Sequence, residues 1–135
     1  MLTNWNEISP HFAPEEIFSE ESLSAFRRNI ILVNFSALHF LNDFRRYIGY
    51  PLLVNFDNHT NRGVRTYIEN AKVGGGEFSY HMQGIAFDIT CLTLSVEELK
   101  EAAIKFGWSG IGFYPERNFI HCDLRPLLTK GPIQW

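Results

Sequence analysis

The chain has 135 residues, 45% of them apolar and 20% charged, with a formal net charge of -3. That length supports one domain with a single hydrophobic core, and the mildly acidic balance excludes a general electrostatic grip on nucleic acid. Two cysteines with no CxxC pair exclude a disulfide scaffold and a zinc ribbon; Cys91 and Cys122 both lie in apolar, strand-like runs and are expected to be small core residues.

The N-terminal MLTNWNEISP has no basic segment followed by an apolar run, so no Sec-type signal peptide is expected. No stretch approaches the ~18 apolar residues of a membrane span. The expectation is a monomer that is cytoplasmic as encoded, with no membrane insertion. A short helix is expected to start at Pro14, because proline suits the first helical position and the following acids suit the first turn. From about Ile31 to Ile48, Ala37, Leu38, Leu41, Phe44 and Ile48 recur at helical spacing, with Asn42, Asp43, Arg45 and Arg46 between them. The Arg45–Arg46 pair is expected at the solvated end of that helix, and Gly49 and Pro51 close it. PLLVNF reads as a short buried strand.

Asp57 to Gly76 reads as a long polar connection with one helical turn around Tyr67 to Ala71; long structured connections are often functional. Gly84 to Cys91 then alternates as a strand, with Ile85, Phe87, Ile89 and Cys91 on one face and Ala86, Asp88 and Thr90 on the other. Ser95 and Glu98 form a capping box. It opens a helix whose buried stripe is Val96, Leu99, Ala102, Ala103 and Phe106, ending at Gly107. Two further strands are expected, Trp108 to Tyr114 and Phe119 to Leu124, joined by a turn at Pro115 to Asn118. In the second, Ile120, Cys122 and Leu124 share one face, and Phe119, His121 and Asp123 the other. The tail RPLLTKGPIQW is expected to be irregular. This order gives an α+β fold: helices near the N-terminus and one between the strands, over a small, mostly antiparallel sheet.

The chemistry gathers in VGGGEFSYHMQGIAFD and FIHCD. A lone histidine is more often structural than a ligand. Here, however, glycines precede His81, permitting sharp turns. Asp88 sits on an otherwise apolar strand, where a carboxylate requires a cation or a metal. His121 repeats the arrangement on another strand, with Asp123 on its face. Two histidines and a carboxylate form the ligand set of a zinc site with one open position.

SYHMQGIAFDI resembles the S-x-H-x-x-G-x-A-x-D motif of the zinc D-Ala-D-Ala peptidases, peptidase family M15, which share a fold with the hedgehog signalling domain. Upstream, RGVRTYIENAKVGGGEFSYH is similar to the family's S-G-Y-R, Asn, V-G-G, S-x-H succession. Downstream, GIGFYPERNFIHCDLRP is similar to its G-x-G-x-Y-P…F-[VI]-H-x-D ending, often followed by a tryptophan such as Trp135. HFAPEEIF is like the H-F-x-x-x-E-[FL] opening of phage and bacterial members, so the resemblance spans nearly the whole chain.

The resemblance implies a single hedgehog/DD-peptidase-like domain over residues 1–135, with zinc held by His81, Asp88 and His121. Zinc in such a site activates water and polarises a carbonyl. Arg65 would stabilise the developing oxyanion or hold the substrate, with Ser79 and Asn70 as further substrate-side contacts. The implied substrates are stem or cross-link peptides of peptidoglycan, cut by a carboxypeptidase or an endopeptidase. Two cases fit such an activity without a signal peptide: a phage-type lysis enzyme waiting in the cytoplasm, or a cytoplasmic enzyme that recycles wall peptides. Two positions depart from the pattern. Arg62 replaces the serine of S-G-Y-R, and Asn118 stands where many members carry the acid that serves as general base. Asp123 and Glu116 are the acids left nearby; Asp123 is the preferred base, and equally a group that would orient His121. Asn118 also motivates an alternative, a zinc-containing binding or structural module without catalysis.

Overall fold

In the computed structural model of the chain, the residues described are 5–18, 20–27, 34–54, 80–81, 83–126 and 131–135. The sheet has five strands in the order β1-β2-β4-β3-β5: β1 (Leu53–Val54), β2 (Ala86–Thr90), β3 (Gly110–Tyr114), β4 (Phe119–Asp123) and β5 (Ile133–Gln134). The pairs β1–β2, β2–β4 and β3–β4 are antiparallel, while β5 runs parallel to β3. The expected α+β architecture with a mostly antiparallel sheet is therefore present.

Helices α1 (Trp5–Ile8), α2 (Pro14–Ile17), α3 (Glu20–Arg27) and α4 (Phe35–Ile48) precede the sheet, and α5 (Val96–Phe106) follows β2. α2 begins at Pro14 as expected, and the Glu16 carboxylate accepts a hydrogen bond from the Ala13 amide at 2.6 Å. α4 begins later than its periodicity suggests. Asn34 is extended and its side chain accepts from the Ala37 amide at 3.0 Å, which fixes the first turn at Phe35; Ile31 to Val33 lie outside the described residues. The helix closes at Gly49, whose φ of 79° places it in the left-handed region. α5 has the predicted capping box: Ser95 Oγ accepts from the Glu98 amide at 3.1 Å, and Glu98 Oε1 from the Ser95 amide at 3.0 Å.

The sheet has two chemically distinct faces. Phe87, Ile89, Ile111, Ile120 and Cys122 point into the core with Leu38, Leu41 and Phe44 of α4 and Leu99 and Ala103 of α5. Trp108 is buried at the centre of an aromatic cluster, edge-on to Phe40 and Phe44 at centroid distances of 4.7 and 5.8 Å. Both cysteines are buried and unbridged, as expected of core residues. The opposite face carries Asp88, His121 and Asp123, with Gly110 and Gly112 beside them on β3. Alternation along the strands, with helices covering one side, is what leaves the second side for chemistry.

Asn42, which falls between the apolar positions of α4, is buried. Its Nδ2 donates to Ser9 Oγ and to the Leu38 carbonyl oxygen, and its Oδ1 accepts from the His11 amide, so it ties the N-terminal segment to the helix. The tail is not wholly irregular. Ile133 N donates to the Ser109 carbonyl oxygen, Trp135 N to that of Ile111, and Phe113 N to that of Trp135, adding the edge strand β5. A two-residue strand leaves no periodicity to read, and its pairing is entirely non-local. Among the described residues no helix is long and apolar enough to cross a membrane.

Candidate metal centre

Strand register brings the chemistry together. Asp88 of β2 lies directly opposite His121 of β4, and His121 directly opposite Gly112 of β3. His81 reaches the same point from the turn before β2. In that turn Gln83 and Ile85 donate their amides to the Tyr80 carbonyl oxygen, and Gly84 donates to that of His81. Gly84 has a φ of 72°, a conformation that glycine adopts without strain, and this lets the chain double back into the strand.

His81 Nε2, Asp88 Oδ1 and His121 Nδ1 form a nearly equilateral triangle, with sides of 3.2, 3.1 and 3.2 Å. His81 and Asp88 are buried and His121 is partly so. A proton on one of these atoms can lie along only one edge of the triangle, whereas a cation above its face engages all three. A tetrahedral ion about 2.0–2.1 Å from each ligand requires ligand atoms about 3.3 Å apart, close to the spacing seen. Two neutral imidazoles and a carboxylate are also the donor set zinc takes. These three residues could therefore hold a divalent metal ion.

The surroundings fix the protonation pattern. Burial alone would raise the pKa of Asp88, but the charge of His81 and hydrogen bonds with His121 and His81 outweigh it and hold Asp88 well below the usual carboxylate range. For His121, burial disfavours the charged form, yet its bonds to Asp123 and Asp88 prevail and raise its pKa. His121 Nε2 lies 2.7 Å from Asp123 Oδ2. An ionised Asp123 accepts from Nε2–H, so in the neutral imidazole the lone pair of Nδ1 faces the triangle.

Asp123 is itself fully occupied. Its Oδ1 accepts from the Arg125 amide at 3.0 Å and from Arg125 Nε at 2.9 Å; its Oδ2 accepts from a terminal guanidinium nitrogen at 2.6 Å. Burial would raise the pKa of Asp123, but these bonds and the one from His121 hold it well below the ordinary value. Gly110 lies directly opposite Asp123, where any side chain would collide with the Asp123 carboxylate and the Arg125 guanidinium. Trp135 covers the outer side of His121, with ring centroids 5.2 Å apart, and its Nε1 donates to Tyr114 Oη at 2.9 Å.

The structure thus brings together His81, Asp88, His121 and Asp123 of the residues singled out from the sequence. It does not bring in Glu116, which is exposed on the 3-10 turn Pro115–Arg117 at the end of β4 away from Asp123. Arg65, Asn70 and Ser79 lie outside the described residues, as does the Val73–Gly75 run. Asn118 has a local explanation. It occupies the left-handed region (φ 55°, ψ 45°), where asparagine is favoured, and its carbonyl oxygen accepts from Thr90 Oγ1. Sequence reasoning missed Arg125 and Tyr80. The signal for Arg125 was its i+2 spacing from Asp123, which puts both on one side of an extended chain; for Tyr80 there was none beyond adjacency to His81.

The match to the family described as Peptidase M15 runs over residues 10–123. The chain is 34% identical over 53 residues to the peptidoglycan L,D-endopeptidase MepK of Escherichia coli K12, covering 39% of this chain and 29% of that protein. It is 37% identical over 59 residues to the probable peptidoglycan L,D-endopeptidase MepK of Haemophilus influenzae, covering 43% and 32%. These matches span about a third of the length of the curated relatives. The family match takes in every residue from Pro10 to Asp123, His81, Asp88 and His121 among them, and with it the chain belongs to the Peptidase M15 family.

Proposed function

We propose that the chain is a zinc-dependent peptidase that hydrolyses peptide bonds in peptidoglycan stem or cross-link peptides. The observation that carries this is the triangle of His81 Nε2, Asp88 Oδ1 and His121 Nδ1, whose sides match a three-ligand zinc site with an open position. Zinc bound there supplies Lewis acidity towards a carbonyl and activates water. The protein supplies the rest. Asp88 and the two imidazoles hold the ion, and Arg65 holds the substrate or the developing oxyanion, with Ser79 and Asn70 contacting the peptide.

Asp123 orients His121. Both its oxygens are occupied, it is fully buried and it is firmly ionised, three properties that make it a poor proton acceptor. Glu116 lies on the exposed turn at the other end of β4, so neither acid of the pair is assigned the proton-accepting role. The names of the relatives favour an endopeptidase acting at an L,D bond over a carboxypeptidase.

The test is mass spectrometry of defined muropeptides before and after incubation with the zinc-loaded protein. Products of hydrolysis at one internal bond are expected, abolished by chelation and restored by zinc. Stoichiometric zinc without any cleavage would instead make the chain a zinc-containing binding module. Glu116→Gln is expected to leave kcat and zinc affinity unchanged; a fall in kcat of about a hundredfold or more would instead make Glu116 the proton acceptor.

A further inference from the structure

Arg125 is bound on every side by groups that belong to the site. Its Nε and a terminal nitrogen grip both oxygens of Asp123, and its amide adds a third bond. The guanidinium lies between two rings, 4.7 Å from the centroid of Tyr80 and 4.5 Å from that of Trp135. Tyr80 directly precedes His81, and its carbonyl oxygen accepts from Gln83 and Ile85 to form the turn that presents His81. Trp135 covers His121. One planar cation therefore touches the acceptor of one imidazole ligand, the residue next to the other, and the ring over the first.

Resting on the reading of the triangle as a metal centre, we propose that Arg125 is a positioning residue for that metal: through Asp123 it fixes the orientation of His121, and through Tyr80 it fixes the turn carrying His81. The bridging atom is Asp123 Oδ2, which accepts from Arg125 and His121 at once, at 2.6 and 2.7 Å. Without the guanidinium fork the carboxylate keeps only the Arg125 amide and His121 as donors, and the acceptor of His121 Nε2–H is held less firmly. Lysine cannot replace it. An ammonium ion supplies the charge but neither the two-pronged grip on a carboxylate nor a flat surface for two rings. Partners behind a metal-bound histidine typically change metal affinity 10–100-fold when removed.

The experiment measures zinc affinity by competition with a chromogenic chelator, and the visible absorption of the cobalt(II) form, for the full chain and five variants. Arg125→Lys is the central one, because it keeps a counter-charge beside Asp123 and so keeps the fold, checked by circular dichroism. It is expected to lower zinc affinity about tenfold and to shift the cobalt absorption bands. Arg125→Gln is expected to lower affinity further. Combined with Asp123→Asn, it should lower affinity by less than the sum of the two single effects, since part of the action of Arg125 runs through that carboxylate. Wild-type affinity and an unshifted cobalt spectrum in Arg125→Lys overturn the proposal, as does full additivity in the double variant. Failure of the underlying metal reading is separate: the wild-type chain would take up no zinc, or His81→Ala would retain it.

Discussion

Gly112 stands directly opposite His121 in the β3–β4 ladder, and the indole of Trp135 fills the space its side chain would take. A Cβ at Gly112 would come within 2.8 Å of Trp135 Nε1. Trp135 is 47% exposed, so it is able to swing outward. Gly112→Ala is therefore expected to cost under about 1 kcal/mol, with a change in tryptophan emission reporting the displaced ring. Gly110→Ala is the harsher change, because the groups it meets are the buried Asp123 and the Arg125 that grips it. It is expected to destabilise by about 1–3 kcal/mol, measured by urea unfolding, and to weaken metal binding.

Removing a ligand tests the triangle directly. His81→Ala, Asp88→Asn and His121→Ala are each expected to abolish stoichiometric zinc binding. Adding zinc to the metal-free wild type is expected to raise Tm, since a ligand at a thousand times its Kd stabilises by about 4 kcal/mol. Calorimetry with and without chelator checks this. A wild-type Tm indifferent to zinc would contradict the site.

Stability and metal affinity are expected to respond oppositely to alkaline pH. In the metal-free protein His121 holds its proton more tightly than free histidine, through Asp123 and Asp88 and against the opposing effect of burial. That stabilisation is fully present below the ordinary histidine value of about 6.5 and is lost as pH rises through the higher folded value. Zinc must displace the same proton, so its affinity rises over that window. The zinc-induced increase in Tm should therefore grow from about pH 6 to about pH 8. On the acid side, Asp88 and Asp123 are held below their ordinary range. Their contribution is present above about pH 4 and disappears as pH falls through their folded values.

The start of α5 supplies a control. Ser95→Ala removes the acceptor for the Glu98 amide and is expected to cost about 1 kcal/mol. Because α5 packs on the apolar face of the sheet, zinc affinity and peptide turnover should be unchanged. A loss of zinc in this variant would mean that the two faces are coupled.

The three residues of the triangle were legible because each sits in a run whose local pattern is strong. Asp88 and His121 stand on alternating strands, and the glycines near His81 mark a turn. The capping box of α5 and the boundary at Gly49 were legible for the same reason: a cap is a contact within a few residues. What could not be read was non-local. Asn42 looks like a surface residue until Ser9 and His11 are placed against it, and Ile133–Gln134 becomes a strand only when β3 is present to receive it. The role of Asp123 needed Arg125, because a carboxylate's availability for protons depends on which donors already occupy it.

The separation of the sheet into a covered side and a chemical side has a consequence for how this protein tolerates mutation. Along β4 the side chains alternate: Phe119, His121 and Asp123 face the site, while Ile120 and Cys122 face the core. A saturation scan through this strand should oscillate with a period of two. Substitutions at Ile120 and Cys122 would lower abundance and leave the activity of each surviving molecule intact, whereas those at His121 would abolish activity in a protein that still accumulates. Abundance and activity, measured in the same library, would trace the two sides of one strand as two interleaved curves.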